Sequence, residues 1–167
     1  MRVLLVKLSS LGDVVHAMPV VHDIAMAYPE AIIDWVVEPA FAPLVRRVHG
    51  VAEVIECPLR RWRRQWWSAA VRSEWRVFRE RLQRERYDAV IDLQGLTKSA
   101  VIARLAQVGE GKRHGLANAT EGSSFEWPAR WLVDNAIPIE PRIHALDRSR
   151  VLAAKALGYE LQGPPEY

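Results

Sequence analysis

The amino-acid sequence predicts an α/β fold built on a doubly wound, mostly parallel β-sheet. Residues 3–6 form an unbroken run of Val and Leu, which is typical of a strand buried on both faces. Up to residue 55 the patterns alternate as strand, helix, strand, helix and strand, and this alternation indicates parallel strands joined by right-handed crossovers. A second unit made of a strand, a polar turn and a helix occurs at residues 88–105, after the unit that begins at residue 3. Because ligands bind at the carboxyl ends of parallel strands, these two turns are the candidate functional loops.

The first half of the chain accounts for three strands and two helices. Helical spacing begins at Val14, and Pro19 lies too deep to be a first-turn proline, so it predicts a kink or a late start of the regular helix. The next predicted elements are a strand at 32–37, a helix at 41–48 that stops at Gly50, and a short strand at 54–55.

The second half adds two strands and several helices. The predicted elements are an amphipathic helix at 71–82, a fourth strand at 88–93, a helix at 100–105, a short fifth strand at 112–116 and a final helix at 145–157 stopped by Gly158. Residues 117–144 show no sustained periodicity, so they predict a long loop with one short helix at 129–133.

Length and composition bound the class of protein. The 167 residues suffice for one domain with a substantial core, and we expect no second full domain. No apolar run approaches the roughly 20 residues that span a bilayer, and the first run stops at Lys7, too early for a signal peptide. The one cysteine, Cys57, excludes an internal disulfide framework and a cysteine-based metal cage. These features predict a cytoplasmic protein.

Positive charge is concentrated between Leu59 and Tyr87, a segment that contains ten arginines and only three glutamates. The formal net charge is +3, so the rest of the chain carries about −4. This polarity predicts an anionic partner: a phosphorylated glycolipid, a membrane surface or nucleic acid. We expect a ligand role for the four arginines at 60, 61, 63 and 64, because nothing local offsets their mutual repulsion. Three tryptophans, Trp66, Trp67 and Trp75, are expected to pack into the core.

Asp13 is the first candidate for a catalytic residue. The dipole at the start of the first helix favours its charge and lowers its pKa. In one interpretation the carboxylate only stabilises the first helical turn. In the other it is a general base beside a bound hydroxyl, and Lys7 supplies the nearby positive charge. The sequence leaves both interpretations open.

Polar side chains also follow the fourth predicted strand. Asp92, Gln94, Thr97 and Lys98 lie at its carboxyl end, so we expect them to face the same cleft as Asp13. The alternative for Asp92 is structural, with its carboxylate accepting backbone hydrogen bonds in the turn.

The opening of the chain resembles the lipopolysaccharide heptosyltransferases, a glycosyltransferase family with two Rossmann-like domains. The shared motif is Lys7-x-Ser9-Ser10-x-Gly12-Asp13-Val14-x-His16-x-x-Pro19. Three further stretches match in the same order: Asp34–Glu38, Arg60–Arg64 and Tyr87–Ser99. The resemblance spans nearly the whole chain and about the first half of a full family member.

The resemblance implies a domain organisation. Residues 1–160 correspond to the N-terminal, acceptor-binding Rossmann-like half of a GT-B glycosyltransferase. Residues 161–167, which include Gly163-Pro164-Pro165, have a linker composition and begin the interdomain linker. The C-terminal, donor-binding domain is absent from this chain, so we expect these residues alone to bind acceptor weakly and to turn nothing over.

The resemblance also implies an activity. It is transfer of L-glycero-D-manno-heptose from ADP-heptose to Kdo of the lipid A inner core, with inversion and without a metal or other cofactor, at the cytoplasmic face of the inner membrane of a Gram-negative bacterium. Asp13 would be the base and Lys7 would hold it ionised, while His16 would be structural. The expected acceptor-binding residues are Ser10, Gly12, Arg60, Arg61, Arg63, Arg64, Gln94 and Thr97.

One position departs from the family pattern. At Thr120-Glu121-Gly122 the chain lacks a basic acceptor-binding residue, for which Arg130 or His144 are the candidate replacements. Two alternative functions remain open. A family relative could use another sugar or acceptor, and a nucleic-acid-binding module could use the Arg/Trp stretch, although that module would leave Ser9 to Asp13 without a role.

Overall fold

The computed structural model describes residues 1–167, which form one six-stranded parallel sheet flanked by helices. The strands are β1 (Arg2–Val6), β2 (Ile32–Val37), β3 (Val51–Glu56), β4 (Arg86–Asp92), β5 (Gln107–Leu116) and β6 (Asn135–Ile137). The α-helices are α1 (Leu11–Ala17), α2 (Pro19–Ala27), α3 (Ala42–Val45), α4 (Leu59–Arg64), α5 (Ala69–Leu82), α6 (Thr97–Leu105) and α7 (Ala145–Leu157), with a 3₁₀ helix at Trp127–Trp131.

The strand order is β3-β2-β1-β4-β5-β6, which is the order of a Rossmann sheet. β1 lies at the centre, with Val6 opposite Val36 of β2 on one side and opposite Asp92 of β4 on the other. The chain leaves β1 toward β2 and later returns to β4 on the other side of β1. The predicted α/β class is confirmed, and the switch point between β1 and β4 positions the two polar turns side by side.

The core divides into two layers because β1 is buried on both faces. Val3 and Leu5 pack with α1, α2 and α7 on one side, while Leu4 and Val6 pack with α4, α5 and α6 on the other. Both layers contain fully buried aliphatic side chains. The uninterrupted Val and Leu run therefore forms the strand expected from it.

Several elements differ from the sequence expectation. β3 is longer than the predicted 54–55, α3 is shorter than the predicted 41–48, and α4 was not among the predicted elements. Pro19 is the first residue of a separate helix, α2, so the expectation that it is not a first-turn proline is wrong, while the predicted late start of a regular helix is confirmed. β5 begins at Gln107, earlier than predicted. The prediction missed its first residues because Gly109 and Gly111 interrupt the apolar pattern that indicates a strand. At Gly111 a Cβ would lie 1.8 Å from the Asp88 carbonyl oxygen, so only glycine fits beside β4. The three-residue strand β6 was not predicted, since it is too short to show a period.

The tryptophan expectation is wrong for two residues. Trp66 is 70% exposed and Trp67 is 64% exposed, whereas Trp75 is half-buried as part of a cluster. The core position beneath α5 is filled by Trp62, whose ring lies 5.3 Å from those of Trp75 and Phe78. Trp66 and Trp67 lie in the turn between α4 and α5, outside that cluster.

No helix has the length and apolar character needed to cross a bilayer.

Candidate active site

A polar cavity of about 220 Å³ opens at the carboxyl edge of the sheet, where the β1–α1 and β4–α6 turns meet. Its lining side chains include Lys7, Ser9, Ser10, Asp13, Gln94, Lys98, Ser124 and Arg148. We call it the Asp13 cavity. A larger groove of about 710 Å³ lies beside Trp62 and Phe78, but Asp13 does not line it. Lys7 and Arg148, the cations nearest Asp13, line the Asp13 cavity.

Asp13 uses its two carboxylate oxygens differently. Oδ2 accepts hydrogen bonds from the Ser10 backbone N–H (3.1 Å) and the Ser10 hydroxyl (2.8 Å), which stabilises the start of α1. Oδ1 faces the cavity, 3.7 Å from Lys7 Nζ and 4.0 Å from Arg148 Nη2. The helix-start interpretation is confirmed for Oδ2, and Oδ1 lies near two cations, a position compatible with the general-base hypothesis.

The charges around Asp13 keep it ionised. Partial burial alone would raise the pKa of Asp13, but Lys7, the Ser10 hydrogen bonds and Arg148 together lower it. The side chain is 37% exposed, so the carboxylate remains accessible from the cavity. A carboxylate held in this way can accept a proton from a hydroxyl placed against Oδ1.

Lys7 follows β1 directly and is only 2% exposed. Its ammonium donates a hydrogen bond to the Leu93 carbonyl oxygen at 3.0 Å, which holds it between β1 and β4. Burial lowers the pKa of Lys7 to about 8, an effect that Asp13 opposes and Arg148 reinforces. Lys7 is therefore charged at neutral pH and loses its proton slightly above it.

Arg148 is the site residue that the sequence reasoning missed. It lies on α7, is 3% exposed, and donates from Nη1 to the Thr120 hydroxyl at 3.0 Å. Its Nε has no hydrogen-bond partner. The sequence did contain a sign that Arg148 is buried. It lies four residues before Leu152 on a predicted helix, so both side chains lie on the same, buried side. The two residues considered as replacements, Arg130 and His144, do not line the Asp13 cavity.

The β4–α6 turn contributes Gln94 to the cavity and the first turn of α6 contributes Lys98, whereas Asp92 does not line it. Gln94 lines the cavity, and its Oε1 also accepts a hydrogen bond from the Leu8 N–H at 2.9 Å. Asp92 is buried and accepts hydrogen bonds from the Gln94 N–H (3.0 Å), the Gly95 N–H (3.3 Å) and the Ser99 hydroxyl (3.0 Å). Its structural interpretation is therefore the correct one. Burial raises the pKa of Asp92 to about 6, against the effect of these hydrogen bonds.

Thr97 lines a neighbouring cavity of about 390 Å³ rather than the Asp13 cavity. Its backbone N–H donates to the Glu126 carboxylate at 2.8 Å. Arg63 and Lys98 line this second cavity as well, and we call it the Arg63 cavity. Because Lys98 lines both cavities, the two adjoin.

The arginine cluster divides into paired and unpaired members. Arg60 lies 3.4 Å from Glu38, and Arg61 forms an ion pair with Glu74. The expectation that nothing local offsets the cluster is wrong for these two, because both carboxylates approach from other segments. Arg63 and Arg64 form no salt bridge. None of the four arginines lines the Asp13 cavity.

Gly12 and His16 both lie in α1. A Cβ at Gly12 would meet nothing within 4 Å, so packing inside the domain does not require glycine there. The His16 ring lies 5.5 Å from the His144 ring at the start of α7, and its structural role stays a prediction. The structure contains no group of three or more His, Cys, Asp or Glu residues that could hold a metal ion.

Comparison with known proteins places this geometry in context. The profile of Glycosyltransferase family 9 (heptosyltransferase) matches residues 75–167. Lipopolysaccharide heptosyltransferase 1 of Escherichia coli K12 is 44% identical over 160 residues, which are 95% of this chain and 48% of that protein. The Pseudomonas aeruginosa enzyme of the same name is 45% identical over 161 residues, which are 96% of this chain and 44% of that protein.

A solved structure gives the same result for the fold. The E. coli heptosyltransferase WaaC with ADP-2-deoxy-2-fluoro heptose superimposes with a TM-score of 0.90 and 42% identity, covering 99% of this chain and 51% of that one. The chain therefore spans about half the length of the relatives it matches.

Proposed function

The chain belongs to glycosyltransferase family 9, and we propose that it is the acceptor-binding half of an inverting heptosyltransferase of lipopolysaccharide core synthesis. Residues 1–160 would form this half, and residues 161–167 would lead into a donor-binding domain. The identity to lipopolysaccharide heptosyltransferase 1 over nearly the whole chain supports this assignment over a family relative with another sugar.

One observation carries the chemical proposal: Asp13 presents Oδ1 to a polar cavity beside two cations. In the proposed reaction an acceptor hydroxyl attacks the anomeric carbon of the heptose, and Asp13 takes the hydroxyl proton. A new C–O bond forms, the bond from the anomeric carbon to the diphosphate breaks, and ADP leaves. Lys7 and Arg148 hold Asp13 ionised until the proton arrives.

The acceptor is proposed to be Kdo linked to lipid A, which carries carboxylate and phosphate groups. Lys98, which lines both cavities, is suited to bind such an anion between them. Ser10 and Gln94 would bind sugar hydroxyls in the Asp13 cavity. Arg63, Arg64 and Thr97 would bind the outer part of the acceptor at the Arg63 cavity. Arg60 and Arg61 would act after exchanging their carboxylate partners for the acceptor.

The donor is proposed to bind mainly to the second domain. The relative whose solved structure contains ADP-2-deoxy-2-fluoro heptose supports an ADP-heptose donor for this chain as well. We also propose that transfer needs no metal and takes place at the cytoplasmic face of the inner membrane, where the protein is peripheral. Unchanged activity in EDTA would support the first point.

The decisive experiment joins this chain to the remaining half of the E. coli relative. The joined protein should transfer heptose from ADP-heptose to Kdo-lipid A, and Asp13→Asn should abolish the transfer. The 167 residues alone should bind a soluble Kdo acceptor weakly, by calorimetry, and should produce no ADP. Transfer by the chain alone would contradict the assignment to half of the enzyme. Transfer to a different acceptor in a panel would favour a family relative with other specificity.

A further inference from the structure

Four of the seven tryptophans lie on the surface. Trp66, Trp67, Trp127 and Trp131 are between 61% and 75% exposed. Tryptophan is normally well buried, and large exposed apolar groups mark interaction sites. The proposed acceptor contacts do not use any of these four side chains.

The four tryptophans are carried by connections that follow the carboxyl ends of two strands. Trp66 and Trp67 lie between α4 and α5, after β3, while Trp127 and Trp131 belong to the 3₁₀ helix after β5. Arg63 of α4 and Glu126, which directly precedes the 3₁₀ helix, line the Arg63 cavity together. The two tryptophan pairs therefore lie on the segments that border this cavity.

Unpaired cations accompany the tryptophans. Arg63 and Arg64 form no salt bridge, and the Arg130 guanidinium lies 5.2 Å from the Trp127 ring centroid. Arg72 donates to the Trp67 carbonyl oxygen at 2.6 Å and so fixes the turn. Indole rings favour the headgroup level of a bilayer, and arginines favour anionic phosphates, so the two residue types together match an anionic membrane surface.

We propose that this surface, formed by Trp66, Trp67, Trp127 and Trp131 with Arg63, Arg64 and Arg130, docks on an anionic phospholipid bilayer. We call it the tryptophan face. The inference deepens the proposed function and rests on it in one respect: docking here brings the Arg63 cavity to the membrane, where a lipid-linked acceptor is anchored.

The ring geometry favours a bilayer over single-stranded nucleic acid. The rings of Trp66 and Trp67 meet edge to face, 6.0 Å apart with 81° between their planes, and Arg130 covers one side of Trp127. Successive stacked bases need open, roughly parallel ring faces. Insertion among headgroups needs only exposed rings beside cations.

Vesicle flotation of the 167-residue chain tests the proposal. Vesicles of phosphatidylcholine with phosphatidylglycerol should bind it, and pure phosphatidylcholine should bind it much more weakly. The double variants Trp66→Ala/Trp67→Ala and Trp127→Ala/Trp131→Ala should each weaken binding about ten-fold. Matched controls lie elsewhere: Met26→Ala, at a side chain 64% exposed on α2, and Arg47→Gln, at an exposed arginine after α3, should bind as the unmodified chain does.

Brominated lipids supply a second measurement. They should quench the tryptophan emission of the unmodified chain. Each double variant should show less quenching, because one exposed pair is removed and binding is weaker, while it keeps its far-ultraviolet circular dichroism. Arg63→Gln/Arg64→Gln should reduce the salt dependence of binding. Undiminished vesicle binding by both tryptophan variants would overturn the proposal, and so would tighter binding to single-stranded DNA than to anionic vesicles.

The assay separates this inference from the proposed transferase. Vesicle binding is measured without donor or acceptor, so failure of heptose transfer would leave a positive result intact. Transfer to a water-soluble Kdo acceptor by the joined protein, together with absent vesicle binding, would overturn only the docking proposal.

Discussion

Lys7 Nζ lies 3.7 Å from Asp13 Oδ1 while it donates a hydrogen bond to the Leu93 carbonyl oxygen. The ammonium is thus held by the backbone of one turn against the carboxylate of the other. Because burial lowers the pKa of Lys7 to about 8, the cation nearest Asp13 is lost in mildly alkaline solution.

The first prediction concerns the alkaline limb of the pH profile. As the pH rises through about 8, Lys7 loses its proton and kcat/KM for transfer by the joined protein should fall. Lys7→Met should lower kcat/KM by about 10- to 100-fold and remove this limb. Lys112→Met, at an exposed lysine on β5, is the control and should keep the limb. If kcat/KM of Lys7→Met still falls near pH 8, a group other than Lys7 is responsible for the alkaline limb.

The second prediction separates the two roles of Asp13. Asp13→Asn should reduce kcat by about 10²- to 10⁴-fold, because the proton acceptor is lost. Acceptor affinity should stay within a few fold. Asp147→Asn is a matched control, because Asp147 also lies in the first turn of a helix. It should alter only thermal stability, and slightly. Equal activity in the two variants would reduce Asp13 to a helix-capping residue.

The third prediction compares two buried arginines of α7. Arg150 forms a bidentate pair with buried Asp23, at 2.8 and 2.9 Å, so Arg150→Met should destabilise the fold by about 3–5 kcal/mol. Arg148→Met should cost less stability, because its pairing with Asp13 is longer and its Nε is unpartnered.

The pH profile distinguishes the same two variants. Arg148→Met should raise the pKa of Asp13 and shift the acidic limb of kcat/KM upward, because a cation near Oδ1 is removed. Arg150→Met should leave that limb in place wherever the protein remains folded. Urea denaturation and pH profiles measure the two effects, and identical behaviour of both variants would contradict a specific role for Arg148.

The fourth prediction concerns stability and Asp92. Its pKa is raised from 3.8 to about 6, so between these values the folded protein keeps a proton that the unfolded chain has lost. The free energy of unfolding contributed by this group therefore falls as the pH rises through this window, and is constant above it. Relative to the unmodified chain, Asp92→Asn should gain up to about 3 kcal/mol between pH 4 and pH 7.

Urea denaturation at a series of pH values measures this difference. Asp134→Asn is the control of opposite sign. Burial alone would raise the pKa of Asp134, but hydrogen bonds and charge from Arg113, together with Arg104, lower it, so this variant should lose relative stability as the pH rises. A relative stability of Asp92→Asn that does not change with pH would contradict the raised pKa.

Sequence reasoning was most successful where structure is encoded locally. The run from Val3 to Val6 predicted a strand buried on both faces, and the strand lies at the centre of the sheet. The same reasoning placed Lys7, Ser10, Asp13 and Gln94 together, because turns at the carboxyl ends of neighbouring parallel strands must meet. It failed for Trp66 and Trp67, since hydrophobicity alone cannot show which tryptophan of a cluster reaches the core.

The sequence by itself determined the first five strands, most of the helices and the loop that holds Asp13, but not α4 or β6, because the spacing of apolar residues and the position of polar turns are local properties of the chain. Only the tertiary structure decided that Arg148 faces Asp13 and that Glu38 and Glu74 pair with Arg60 and Arg61. Ion pairs between separate segments depend on how those segments pack, and no local pattern records that packing.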